Sequence, residues 1–138
     1  MKNLKIFKNS RVIVTGHTGF KGSWLTAWLK QLGANVMGIS LDLPTYPSHF
    51  RASKINLGIK DVRLDIRNKK KLEKKITSFK PNFVFHLAAQ SLVGLSYKNP
   101  TMTWQTNVFG TLNILESIRK LKNVCNVVII TSDKCYFN

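Results

Sequence analysis

Residues 12–24, VIVTGHTGFKGSW, place glycines at positions 16, 19 and 22 directly behind a β-branched apolar run. Glycine lowers helix propensity, so three of them where a strand hands over to a helix point to a need for the missing side chains. One reading is a simple turn. The other is a phosphate-binding elbow. In it, Gly16 makes the tight turn, Gly19 lets the backbone approach a pyrophosphate, and Gly22 lets the helix pack close to the sheet. The helix N-terminus then faces the anion. The spacing is GxxGxxG rather than GxGxxG, and glycine-rich turns are common, so the rest of the chain has to decide.

The rest of the chain alternates. Apolar, β-branched runs at 11–15, 35–40, 60–64, 83–87 and 127–131 read as strands. Helices are expected at 23–32, stopped by Gly33, and at 68–79, capped by Asn68 and ended by Pro81. A further helix is expected from the Asn99-Pro100 cap to residue 121, and a short one behind Ser48. Strands alternating with helices imply parallel pairing and right-handed crossovers. The expected fold is therefore α/β, a Rossmann-type doubly wound sheet of order 3-2-1-4-5, in a single domain covering residues 1–138. The sequence stops seven residues after the fifth expected strand, with no helix to cover it. The expectation is the front part of a longer protein, truncated after that strand.

Composition narrows the function classes. No apolar run reaches the roughly 18 residues of a membrane span, and MKNLKIFKNS lacks the apolar core of a signal peptide. Cys125 and Cys135 form neither a CxxC pair nor a metal cluster, and three scattered histidines make no metal site. A reduced, cytoplasmic protein without a metal is expected. The 22 Lys+Arg against 6 Asp+Glu give a net charge of +16, which admits a nucleic-acid partner. Yet the densest run, KKKLEKK at 69–75, has Leu72, Ile76 and Phe79 at helical spacing behind it, making its lysines a solvated face. Lysines outnumber arginines 17 to 5, with no aromatic-interleaved basic strip, so neither nucleic acid nor membrane is the expected partner.

Asp42 lies 20 residues after Gly22, at the end of the second expected strand. A carboxylate there would accept the adenosine ribose hydroxyls of a dinucleotide and repel a 2′-phosphate, favouring NAD over NADP. Alone, Asp42 would serve equally well as a loop cap. In register with the glycines it is read as the ribose acceptor. Lys21 could aid the pyrophosphate or simply be solvated, and these stay open.

Further motifs follow: LDIR at 64–67, HLAAQ at 86–90, TNVFGT at 106–111 and TSDKCY at 131–136. With GHTGFKGSW, the set resembles the extended short-chain dehydrogenase/reductases that act on nucleotide sugars, and among them the 4,6-dehydratases most. The resemblance runs from Arg11 to Asn138. It implies a bound, recycled NAD, held at the elbow by Gly16, Thr18, Gly19, Phe20 and Gly22 and at the ribose by Asp42. Asp65 and Ile66 would border the adenine, and Leu87, Ala88 and Ala89 would line the cofactor's path. Gln90 and Ser91 would face the substrate, CDP-glucose or a related nucleotide sugar, and the intact enzyme would be a homo-oligomer. His86 is read as a satisfied strand-end histidine.

Asn107 and Gly110 are both costly inside a helix. The resemblance makes Asn107 the residue that props up the active-site end. It makes Ser132 the group that polarises the sugar C4 hydroxyl and Asp133 the acid that protonates the departing C6 hydroxyl. Lys134 stands where related dehydratases carry a glutamate base, and could act as base or orient substrate. Ser91 and Gly94 replace a Pro and an Arg usual in close relatives. The family's Tyr-x-x-x-Lys pair does not occur in the sequence and is expected beyond residue 138. The chain by itself is therefore expected to bind NAD without turning over the sugar. The rival readings are another nucleotide-sugar dehydratase or a 4-epimerase, and a non-catalytic NAD-sensing regulator.

Overall fold

A computed structural model describes residues 2–132. After a 3-10 segment, Lys2–Phe7, five strands follow: β1 (Arg11–Thr15), β2 (Asn35–Ser40), β3 (Lys60–Arg63), β4 (Phe83–His86) and β5 (Asn126–Ile129). They form one parallel sheet in the order β3-β2-β1-β4-β5, as the alternation predicts. Their apolar residues divide between the two faces, since successive side chains on a strand point to opposite sides. Val12 and Val14 face one layer with Leu29 and Val36. Ile13, Met37, Ile39 and Val84 face the other, against Leu72, Ile76, Phe79 and Ile114. Val127 on β5 joins that second layer, whereas Val128 is 45% exposed on the opposite side.

The helices are α1 (Phe20–Gln31), α2 (His49–Ala52), α3 (Lys69–Phe79), α4 (Val93–Lys98), α5 (Pro100–Trp104) and α6 (Gly110–Arg119). The expected caps are in place. Ser48 accepts from the Arg51 amide, Asn68 from Lys71 and Asn99 from Met102. The lysine-rich α3 buries Leu72, Ile76 and Phe79 and turns its lysines outward. It stops on Lys80 in the left-handed conformation, one residue before Pro81.

Several boundaries differ from the sequence expectation. α1 begins three residues earlier than position 23, because Gly19 is already its extended N-cap and the elbow is correspondingly shorter. β3 and β4 each end one residue early, at Arg63 and His86, and β5 spans Asn126–Ile129 instead of 127–131. α4 is not foreseen by the sequence reading, and it buries no residue, so it leaves no apolar period to read. The helix expected from 100 is interrupted by a π-helical turn, Gln105–Phe109, which joins α5 to α6. Among the described residues, no helix is long and apolar enough to cross a membrane.

Candidate functional site

Parallel pairing brings the carboxyl ends of all five strands to one edge, where ligands of open α/β sheets bind. The glycine elbow follows β1. Gly16 has φ 73, a conformation that favours glycine, and its amide donates to the Ile39 carbonyl at 2.8 Å. A Cβ on Gly22 would lie 2.1 Å from the Gly16 carbonyl oxygen and 2.9 Å from His17 Cα. The third glycine thus seats α1 against the elbow itself, where sequence reasoning has it packing on the sheet.

Gly19 differs. Its φ is −72, and a Cβ there would meet only the Gly16 oxygen, at 3.3 Å. It caps α1 without a side-chain hydrogen bond, and the first turn of α1 carries no acid. The first amides of a helix lack intrahelical partners, so this end presents N–H donors and partial positive charge beside a cradle that a side chain would fill. The elbow therefore fits a dinucleotide pyrophosphate. Phe20 is 74% exposed at the start of α1, with Lys21 exposed beside it.

Thr18 is buried. Its amide donates to Ser40 Oγ at 3.4 Å and its hydroxyl to the Asp42 carbonyl at 3.5 Å, so it ties the elbow to the end of β2. Asp42 itself is exposed just beyond β2, at the same edge. Asp65 follows β3, and Arg67 binds both of its oxygens, at 2.6 Å through Nη2 and 2.8 Å through the amide. These hydrogen bonds hold the Asp65 carboxyl below its ordinary pKa. Ile66 is 4% exposed, and its Cδ1 fills the place of a Gly110 side chain, 2.5 Å from where a Cβ would stand. That contact is the packing demand behind Gly110. A cleft of about 650 Å³ beside it is lined by Asp65, Arg67, Asn68, Gln105 and Phe109.

One hydrogen-bond chain sets the segment after β4. Thr15 Oγ1 accepts from the Leu87 and Ala88 amides, both at 3.1 Å, and lies 2.6 Å from His86 Nδ1. His86 Nε2 lies 2.9 Å from Thr111 Oγ1, which donates to the Asn107 carbonyl at 2.7 Å. These directions close only if His86 is neutral with its proton on Nε2. Burial pushes its pKa down to about 4, in keeping with that state. His86 is thus a satisfied structural histidine. Asn107, in the π-helical turn, accepts from the Gln90 amide at 2.8 Å and donates to the Gln90 carbonyl at 3.0 Å.

Leu87 and Ala88 each pack on a core layer, one on each side of the sheet, and Ala89 is exposed. The Gln90 side chain is engaged by the Leu92 amide and carbonyl and by Thr103, while Ser91 is exposed. Beyond β5, the Ile130 amide donates to the His86 carbonyl at 3.0 Å, carrying the chain to an exposed Ser132 at the same edge. Asp133 and Lys134 lie outside the described residues.

Sequence reasoning missed His17. Its ring is fully buried, 2.9 Å from Ser40 Oγ and 3.0 Å from Asp61 Oδ1, with Phe50 edge-on to it. Burial lowers its pKa, and Asp61 partly opposes the shift. The available signal was Gly38, a costly residue in the buried strand NVMGIS. A Cβ there would lie 2.2 Å from the His17 ring.

A parallel sheet of this order, with a glycine elbow after its first strand, defines a Rossmann-type dinucleotide-binding fold. Residues 13–137 match the GDP-mannose 4,6 dehydratase family, and the chain belongs to it. It is 50% identical over 138 residues to CDP-glucose 4,6-dehydratase of Salmonella typhimurium, covering 100% of this chain and 38% of that enzyme. It is 34% identical over 129 residues to CDP-paratose 2-epimerase of Salmonella typhi, covering 91% of this chain and 38% of the relative.

Among solved structures, the epimerase Mth375 of Methanothermobacter thermautotrophicus superposes with a TM-score of 0.84 at 27% identity, over 100% of this chain and 40% of that one. UDP-glucose 4-epimerase of Thermus thermophilus, solved in complex with NAD, gives 0.68 at 32% identity, over 80% of this chain and 34% of that one. The chain thus spans about two fifths of the length of these relatives.

Proposed function

We propose that this chain is the cofactor-binding part of an NAD-dependent 4,6-dehydratase acting on CDP-glucose. The 50% identity to such a dehydratase along the whole chain carries the proposal. The elbow, with a helix start that no side chain caps and a glycine at position 19, supports the cofactor half of it.

In this reading the first amides of α1 hold the pyrophosphate, Asp42 accepts the ribose hydroxyls, and Asp65 and Ile66 border the adenine. Leu87, Ala88 and Ala89 line the cofactor's path along the edge. Because Thr18, Ile66, Leu87 and Ala88 are buried or packed on the core, they serve the cofactor chiefly through their backbone. NAD, when bound, supplies the hydride chemistry, accepting from sugar C4 and returning to C6.

The chain's own groups handle protons and position. Ser132 polarises the C4 hydroxyl, Asp133 protonates the C6 hydroxyl as it leaves, and Lys134 acts at C5 or orients the sugar. A lysine base at C5 requires a pKa lowered toward neutrality. Asn107 fixes Gln90, and with it the substrate side of the edge where Ser91 is exposed. Removal of the C4 hydroxyl proton falls to the family's Tyr-x-x-x-Lys pair, which is absent from this sequence.

Structural likeness to UDP-glucose 4-epimerases supports a second reading, epimerisation at C4. CDP-glucose deuterated at C4 separates the two, with products read by mass spectrometry and NMR on the complete enzyme. The dehydratase moves the label to C6 of a 4-keto-6-deoxy sugar. Label retained at C4 of an epimer means epimerase. Binding of NAD without conversion of any nucleotide sugar supports a regulator instead.

A further inference from the structure

The edge of the sheet holds two groups that pull cofactor choice in opposite directions. Asp42 follows β2, where a carboxylate suits an unphosphorylated ribose. Arg63 ends β3 and pairs in register with Ser40, and its Nη1 donates to the Leu41 carbonyl at 2.8 Å. A guanidinium is therefore bonded to the residue next to Asp42, and an arginine in that neighbourhood is what accommodates a 2′-phosphate. Its second terminal nitrogen, Nη2, donates to Asp61 Oδ2 at 2.8 Å, and the guanidinium lies over the Phe50 ring, 5.4 Å from its centre. The remaining oxygen of Asp61 accepts from the buried His17, which is part of the glycine elbow.

We propose that Asp61 is a specificity-determining positioning residue: it holds Arg63 folded against Leu41 and anchors His17, so that the ribose meets Asp42 and not a free guanidinium. This rests on the dinucleotide reading of the site. The directions of the network agree with it. His17 Nε2–H donates to the carboxylate, so a neutral ring leaves Nδ1 to accept from the Ser40 hydroxyl, whose oxygen in turn accepts from the Thr18 amide. Asp61 thus stands at one end of a line running through the elbow and takes one prong of the fork that restrains Arg63. Its side chain is only 23% exposed, so its charge is screened less than on an open surface.

The two duties separate by experiment. Equilibrium titrations of NAD and NADP, followed by calorimetry on the complete protein, give the ratio of the two dissociation constants. Asp61→Asn should move that ratio toward NADP by about tenfold or more, the worth of one charge-assisted contact. Adding Arg63→Gln to Asp61→Asn should restore the wild-type ratio. Arg63→Lys keeps the cation but loses the fork that spans Asp61 and Leu41, and should shift the ratio the same way with Asp61 intact.

His17→Gln retains a donor toward Asp61. It should weaken both dinucleotides alike and leave the ratio within about twofold, since it displaces the elbow without freeing Arg63. A ratio unchanged in Asp61→Asn and in Arg63→Lys, with NAD still bound, overturns this inference alone. So does a shift that survives Arg63→Gln. A wild type that binds neither dinucleotide overturns the site reading and this inference together.

Discussion

Gly22→Ala sets two physical effects against each other within one residue. Alanine in place of glycine inside a helix is worth up to about 1 kcal/mol in propensity, so α1 taken alone would gain. The new Cβ, however, would arrive 2.1 Å from the Gly16 oxygen, 2.7 Å from its carbonyl carbon and 2.9 Å from His17 Cα. All three are backbone atoms, and their surroundings are fixed. The Gly16 amide is bonded to Ile39, the Gly19 amide donates to Gly16 at 3.0 Å, and the His17 ring is wedged under Gly38. Relief therefore requires α1 to separate from the elbow by roughly an ångström, the shortfall from an ordinary van der Waals contact.

Overpacking of that kind costs about 1–3 kcal/mol, at the upper end where no side chain can rotate away. The net expectation is a loss of roughly 1–2 kcal/mol of stability in spite of the better helix former. Because the displaced amides are those facing the pyrophosphate, NAD affinity should fall by about tenfold or more. Urea unfolding at constant m-value reads the first quantity, and calorimetric titration the second. A Gly22→Ala protein at least as stable as wild type, with unchanged affinity, would refute the claim that close seating of α1 shapes the site.

Gly19→Val should abolish dinucleotide binding and leave the circular dichroism spectrum intact, because a Cβ there meets only the Gly16 oxygen, at 3.3 Å, while the branched side chain takes the space the pyrophosphate needs; unchanged affinity would reduce the elbow to a turn. Acidification should destabilise the fold through His86, whose pKa lies at about 4 in the folded chain against an ordinary 6.5. The unfolded state then binds the proton first, so the contribution is complete above about pH 6.5 and up to about 3 kcal/mol is lost as pH falls toward 4. Urea midpoints for wild type and His86→Gln should converge over that window, and parallel profiles would contradict the assignment. Asn107→Ala should cost about 1–3 kcal/mol, since it strips both the Gln90 amide and carbonyl of their partner, with faster hydrogen exchange at the Gln90 amide as the local signature.

Much of this architecture was legible in the chain because it rests on local signals. Strand periodicity and the caps at Ser48, Asn68 and Asn99 follow from residues near one another in sequence, and the 3-2-1-4-5 order from the alternation of strands with helices and the right-handed crossovers it implies. The positions of Gly16 and Asp42 were legible for the same reason. What escaped depends on pairs far apart. His17 meets Asp61 across 44 positions, and only the fold shows that Gly38 is a glycine to admit its ring. Gly110 gave a hint of crowding, but nothing local named Ile66 as the neighbour. The π-helical turn that aims Asn107 at Gln90 has no pattern of its own, since its residues read as ordinary helix. The short α4 was invisible because an exposed helix carries no apolar stripe.

The most direct test of the central claim, that the carboxyl edge of the sheet is an NAD site read by Asp42, is a paired titration of NAD and NADP against wild type and Asp42→Ala. NAD should bind the wild type more tightly, and Asp42→Ala should narrow the gap by weakening NAD and relieving the repulsion of the 2′-phosphate. Tighter binding of NADP by the wild type, or a gap indifferent to Asp42, would contradict it.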